Sequence, residues 1–267
     1  MKIMKTRMQL LFLSMAIIVE AAVAQQTPQQ SPAPQPLTAT VPSSGFPGLD
    51  RYRASRIKVY MNDFAELSRY RDANAALPSA ASGEERVVFF GDSITDGWKI
   101  EESFPGKPYV NRGIGGQTTS QMLVRFRQDV VNLRPKVVVI LAGTNDIAGN
   151  SGLIANEDIE ANYSDIAELA KANNIRVIFS SILPVNNYTE RAKEFFAQRP
   201  MERILALNKW LQGYCERNHL IYLDYFNAVV DEQGMLKREL ADDGLHPNKA
   251  GYAIMAPMAE KAIAKAQ

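Results

Sequence analysis

Cysteine is almost missing from this chain of 267 residues, which holds only Cys215. A lone thiol closes no internal disulfide, so the fold must rest on its core rather than on covalent staples. Histidine is scarce as well, with only His219 and His246. They stand well apart and fit no H-x-H or H-E-x-x-H spacing, which makes a poor ligand set, and no metal site is expected. Neither sign of charge dominates: 30 Lys and Arg face 29 Asp and Glu, a formal +1. Such a balance supplies no surplus of cations to grip a phosphate backbone, so nucleic acid is not an expected partner. No apolar run beyond residue 24 reaches the roughly 18 to 20 residues that a membrane helix needs, so no integral membrane segment is expected in the mature chain. Internal repeats are also lacking.

What is present begins with an export signature. Lys2, Lys5 and Arg7 form a basic start, Leu10 to Val19 an apolar middle, and Ala22-Val23-Ala24 a small-residue cleavage site. Residues 1–24 therefore read as a signal peptide cleaved near Ala24, and the protein is expected to be exported to the periplasm or the medium. Cleavage moves the formal charge from +1 to about −1. Residues 25–48 carry six of the fourteen prolines among Gln, Ser, Thr and Ala, the composition of a solvated linker. The remainder, residues 49–267, is long enough for one well-buried domain and short for two.

Within that domain, Val87–Phe90, Tyr109–Asn111, Val137–Leu141, Arg176–Ser180 and Leu220–Leu223 read as strands. None alternates cleanly between polar and apolar, as befits strands of a parallel sheet covered on both faces. Between them lie helical stripes: Leu123, Phe126, Val130 and Leu133; Ile159, Tyr163, Ile166 and Ala170; Ile204, Leu207, Leu211, Tyr214 and Cys215. Ile57, Tyr60, Met61, Phe64 and Leu67 predict an earlier amphipathic helix packed on the sheet. Lys249 to Ala266 predicts a last helix, interrupted or kinked at Pro257. The alternation implies a three-layer α/β domain with a mainly parallel five-stranded sheet.

Polar motifs fall at the carboxyl ends of these strands, where open parallel sheets bind ligands. Ser93 follows the first strand in Gly91-Asp92-Ser93-Ile94-Thr95-Asp96-Gly97-Trp98. Gly91 relaxes the backbone there, and the coming helix turns free N–H groups outward, so the serine offers both a hydroxyl and an amide. Capping that helix is the competing role for Ser93 or Asp92. Arg112-Gly113-Ile114-Gly115-Gly116-Gln117-Thr118-Thr119 follows the second strand; its glycines admit a ligand close to the backbone, or simply make a tight turn. A dinucleotide fingerprint is rejected, because Thr118 stands where the third glycine belongs.

Gly143-Thr144-Asn145-Asp146 ends the third strand and brings an amide to the same sheet edge. Asn145 can donate to a developing oxyanion or serve a turn, and Asp146 reads as structural. Near the C-terminus, Asp243 and His246 stand three residues apart, close enough for a turn to join the carboxylate to one ring nitrogen while the other faces a serine. Asp242 competes for the carboxylate role. His219 precedes a strand, which puts it at the opposite edge of the sheet as a structural residue.

Taken in order, Gly91-Asp92-Ser93, Gly113-Ile114-Gly115-Gly116, Gly143-Thr144-Asn145-Asp146 and Asp243-Gly244-Leu245-His246 resemble the four blocks of the SGNH/GDSL hydrolases. The second and third, Gly-Ile-Gly-Gly and Gly-Thr-Asn-Asp, look most like the branch related to platelet-activating-factor acetylhydrolase. Ile94 departs conservatively from the leucine of the family name. The resemblance covers about residues 50 to 265 and implies a flavodoxin-like sheet. It also implies Ser93 as nucleophile, His246 as general base and Asp243 as its orienter, with Ser93 N–H, Gly116 N–H and the Asn145 amide as oxyanion donors. No cofactor or metal is called for, and no role follows for Trp98, Phe104 or Arg112.

The expected protein is thus an exported serine esterase acting on a small acyl ester or acylated carbohydrate, with O-acetyl groups foremost. A lysophospholipase or thioesterase would use the same triad, and a glycan-binding protein without catalysis would use the same pocket. The loops Ile100–Tyr109 and Asn186–Pro200, which mix aromatic and charged side chains, are the expected specificity elements.

Overall fold

Five runs rich in Val, Ile and Phe pair into one sheet in the computed structural model, which describes residues 42–81 and 83–267. They are β1 (Val87–Gly91), β2 (Tyr109–Gly113), β3 (Val137–Leu141), β4 (Arg176–Ser180) and β5 (Ile221–Leu223). Their order is β2-β1-β3-β4-β5, and each neighbouring pair is parallel, with Val87 opposite both Tyr109 and Val137. This is the flavodoxin-like order, with every strand parallel. The expected signal peptide and all but the last seven residues of the expected linker lie outside the described residues.

Helices precede, join and follow the strands: α1 (Pro47–Asp63), α2 (Arg71–Ala76), α3 (Ser93–Asp96), α4 (Ile100–Ser103), α5 (Thr119–Asp129), α6 (Thr144–Ala148), α7 (Asn156–Ala172), α8 (Glu190–Ala197), α9 (Met201–Arg217), α10 (Phe226–Val229) and α11 (Lys249–Ala266). Successive residues of β1 feed opposite layers, as a two-residue period requires. Val88 and Phe90 join Phe126 of α5, Tyr163 of α7 and Ile204 of α9, whereas Val87 and Phe89 join Ile94 of α3, Ile100 of α4 and Met255 of α11. Every position of β1 and β3 is buried, which explains why neither run alternates.

Two expectations are corrected. Of the two alternatives for the last helix, interruption falls: Lys249–Ala266 is one helix with Pro257 inside it. The first helix does not lie on the sheet: Leu49 is its only buried residue, and Met61 is 78% exposed. Instead α1 lies against the loops at the carboxyl ends of the strands. Tyr52 Oη donates to Gly116 O at 3.3 Å, Arg53 Nε donates to Gly149 O at 2.9 Å, and Glu194 Oε1 on α8 accepts from Gly48 N–H at 2.7 Å. Periodicity foretold a one-sided helix; it could not say that the buried side would meet loops. The helix begins at Pro47, two residues inside the expected linker.

Candidate active site

At the end of β1 the chain turns sharply into α3, and Asp92 rather than Ser93 makes the cap: Asp92 Oδ1 accepts from Ile94 N–H at 2.9 Å. Ser93, the first helical residue, keeps its hydroxyl free. Its Oγ lies 2.9 Å from His246 Nε2. Asp92 itself is fully buried, and burial pushes its carboxyl up to about 6, although the Ile94 N–H bond and the nearby His246 and Arg199 pull the other way. Its Oδ2 has no partner among the described residues.

His246 arrives on the turn before α11. Asp243 Oδ2 is 2.8 Å from His246 Nδ1, while Asp243 Oδ1 accepts from the backbone N–H groups of Leu245 at 3.0 Å and His246 at 2.9 Å. One carboxylate therefore closes the turn and orients the ring, which is why a spacing of three suffices. Burial opposes the charge on Asp243, but the bonds from the His246 ring and backbone outweigh it and hold the carboxyl well below the usual range. An ionised Asp243 accepts a hydrogen bond from Nδ1–H and so keeps the ring proton on Nδ1, which leaves Nε2 to accept from Ser93 O–H. Asp242 turns away to accept from Asn248 Nδ2 at 3.0 Å, and so does not compete.

Gly116 follows β2 with φ +78°, and a Cβ there would come within 2.0 Å of Tyr52 Oη, so the left-handed turn and the close approach of α1 both require glycine. Its carbonyl also accepts from Asn150 Nδ2 at 3.0 Å. Asn145, the second residue of α6, donates from Nδ2 to Gln117 O at 3.0 Å. No acceptor meets the N–H groups of Ser93 or Gly116 among the described residues. Ser93, Gly116, Asn145 and His246 share the wall of a cavity of about 540 Å³, and Asp243 stands behind the imidazole.

Other residues from the sequence reading fall elsewhere. Asp146 accepts from Thr119 N–H at 3.0 Å and Thr119 Oγ1 at 2.5 Å, bridging α6 and α5, and burial raises its carboxyl to about 6. Ile100, Phe104 and Trp98 pack under β1 against Phe89, while Glu101, Glu102 and residues 105–108 are exposed, and none of Ile100–Tyr109 lines the serine cavity. Arg112 donates to Asn74 Oδ1 at 2.7 Å and lies over the Tyr70 ring. His219 lines a different cavity, beside Arg176 at the start of β4. Tyr52, Phe195 and Arg199 line the serine cavity although no motif marked them; for Phe195 and Arg199 the only signal was the mixed composition of Asn186–Pro200, and for Tyr52 there was none.

Residues 89–254 match the GDSL-like Lipase/Acylhydrolase family. The chain is 40% identical to a GDSL-like lipase from Bacteroides thetaiotaomicron, whose structure superposes with a TM-score of 0.71 over 77% of this chain and 100% of that one. It is 31% identical to platelet-activating factor acetylhydrolase IB subunit alpha1 of Pongo abelii, over 64% of this chain and 71% of that one. An acetylxylan esterase of Geobacillus stearothermophilus is 24% identical over 64% of this chain and 90% of its own length.

Proposed function

Because the chain belongs to the GDSL-like lipase/acylhydrolase family, we propose that it is an exported serine esterase that removes short acyl groups, O-acetyl groups on carbohydrate foremost. The observation that carries the reading is the unbroken relay from Ser93 Oγ to His246 Nε2 at 2.9 Å and from His246 Nδ1 to Asp243 Oδ2 at 2.8 Å. In this reading His246 takes the Ser93 proton as Oγ attacks the ester carbonyl, and Asp243 steadies the imidazolium. The tetrahedral oxyanion is met by Ser93 N–H, Gly116 N–H and the free N–H of the Asn145 amide, each such donor typically worth about two to three powers of ten in rate. Collapse breaks the bond to the leaving alcohol, which receives the proton from His246. Water then attacks the acyl-serine with His246 again as base, freeing the acid and restoring the Ser93 hydroxyl.

The carbohydrate substrate is supported by the cavity wall, where Tyr52 and Phe195 stand among Arg51, Glu190 and Arg191, a mixture suited to stacking and hydrogen bonding with sugar. Similarity to an acetylxylan esterase points the same way. Export rests on the basic and apolar leader. Among the described residues no helix is long and apolar enough to cross a membrane.

One observation favours a longer acyl chain instead. A second cavity of about 750 Å³, lined by Phe46, Ile57, Tyr60 and Leu153, shares Leu49, Asn150 and Gln198 with the serine cavity. A panel of acetyl, butyryl and octanoyl esters, with acetylated xylan, decides between them. Preference for acetyl supports the glycan reading, whereas a steep rise with chain length replaces it by the lipid one. Ser93→Ala should abolish turnover of an activated acetate ester, and unchanged turnover would remove Ser93 from the mechanism.

A further inference from the structure

Arg199, in the short link between α8 and α9, is only 3% exposed yet lines the cavity that holds Ser93. No carboxylate lies within ion-pairing distance of its guanidinium among the described residues; Asp92 and Asp243 act on it only through space. A buried, unpaired cation is costly, so its neutral partners must hold it well. Nε donates to Thr144 Oγ1 at 2.9 Å, Nη1 to Gln198 Oε1 at 3.1 Å and Phe195 O at 3.3 Å, and Nη2 to Asn145 Oδ1 at 3.4 Å.

Two of those acceptors belong to Thr144 and Asn145, the first turn of α6. A primary amide is nearly symmetric in shape, so its partners decide which end is oxygen. For Asn145 both ends are settled: Arg199 presents a donor to Oδ1, and Gln117 O accepts one hydrogen of Nδ2 at 3.0 Å. Flipping the amide would set NH₂ against the guanidinium and oxygen against a carbonyl, two repulsions in a buried place. With the flip forbidden, the second Nδ2 hydrogen is the one the amide can offer to the cavity.

We propose that Arg199 is a positioning residue for ester hydrolysis: it locks the Asn145 amide donor-inward and sets a positive charge behind it. Charge building on the carbonyl oxygen then meets a donor already polarised in its favour. This inference rests on the esterase reading above. Its benefit arises only as the oxyanion forms, so it should appear in kcat rather than KM.

The test is steady-state kinetics on an activated acetate ester with Ser93→Ala, Asn145→Ala, Arg199→Met and the double variant Asn145→Ala/Arg199→Met. Arg199→Met should lower kcat about 30- to 100-fold with KM changed less than about threefold, and should cost less than about threefold more once Asn145 is already alanine. Additive losses, or a loss confined to KM, overturn the proposal. Should Arg199→Met fail to fold, Arg199→Lys keeps the charge but not the planar fork, and its loss must likewise vanish in the Asn145→Ala background or the proposal falls. Full turnover by Ser93→Ala sinks the esterase reading itself, whereas a dead Ser93→Ala beside a fully active Arg199→Met sinks only the role of Arg199.

Discussion

The two ends of the same five strands each carry one of the two histidines. At the carboxyl end, His246 stands between Asp243 at 2.8 Å and Ser93 at 2.9 Å, on the wall of a cavity of about 540 Å³. At the amino end, His219 has φ 55° just past the end of α9 and borders a cavity of about 650 Å³ with Lys171, Arg176 and Lys265. Both ends have room, charge and an imidazole. Only one brings a carboxylate and a hydroxyl to the two nitrogens of the same ring, and that convergence makes the candidate site. The amino end uses its histidine as a backbone element, where the left-handed turn stops a helix.

Substitutions can break this contrast. The largest effect is expected at His246: His246→Ala should lower kcat/KM by about 10⁴-fold or more, as losses of a triad base do elsewhere, while His219→Ala leaves it within about twofold. Comparable losses for both would erase the distinction. Asp243→Asn should cost about 10⁴-fold through the wrong tautomer, measurable as a fall in kcat. Next comes Gly116→Ala, whose Cβ would meet Tyr52 Oη at 2.0 Å in a left-handed turn; activity should fall about 10²-fold. Pairing it with Tyr52→Phe should relieve part of the clash without relieving the backbone strain.

The smallest effects separate the carboxylates by pH. Asp243 has a lowered folded-state value, so its contribution to stability is complete above the unfolded value near 4 and disappears on further acidification. Asp92 and Asp146 have the opposite sign: raised to about 6, they bind protons more tightly folded than unfolded, so stability falls as pH rises from about 4 to 6. Asp92→Asn, which keeps the oxygen that accepts from Ile94, should therefore gain up to about 3 kcal/mol relative to wild type between pH 4 and 7. Denaturant melts at the two pH values check this, and an unchanged difference would show that burial does not govern Asp92.

Legibility followed the range of the forces involved. β3 and β4 appear with the bounds read from the sequence, because runs apolar on both faces have few other uses. The relay of Ser93, Asp243 and His246 was readable because histidine is so rare and the Asp243 turn is local. The placement of α1 was not: its contacts are with loops 64 to 146 residues downstream, and no periodicity encodes them. Arg199 stayed hidden for the same reason, lying 54 residues from Asn145 in a stretch that shows only mixed composition.

Helix α1 touches Gly116 through Tyr52 and Glu194 through its own first amides, both on the wall of the serine cavity, and Gly149 through Arg53 beside it. The earliest described helix thus forms part of the mouth rather than the core: Gly48, Leu49, Arg51 and Tyr52 stand in the wall of the serine cavity, while only Leu49 of the whole helix is buried. Shortening the domain from its front would spare the sheet and spoil the aperture.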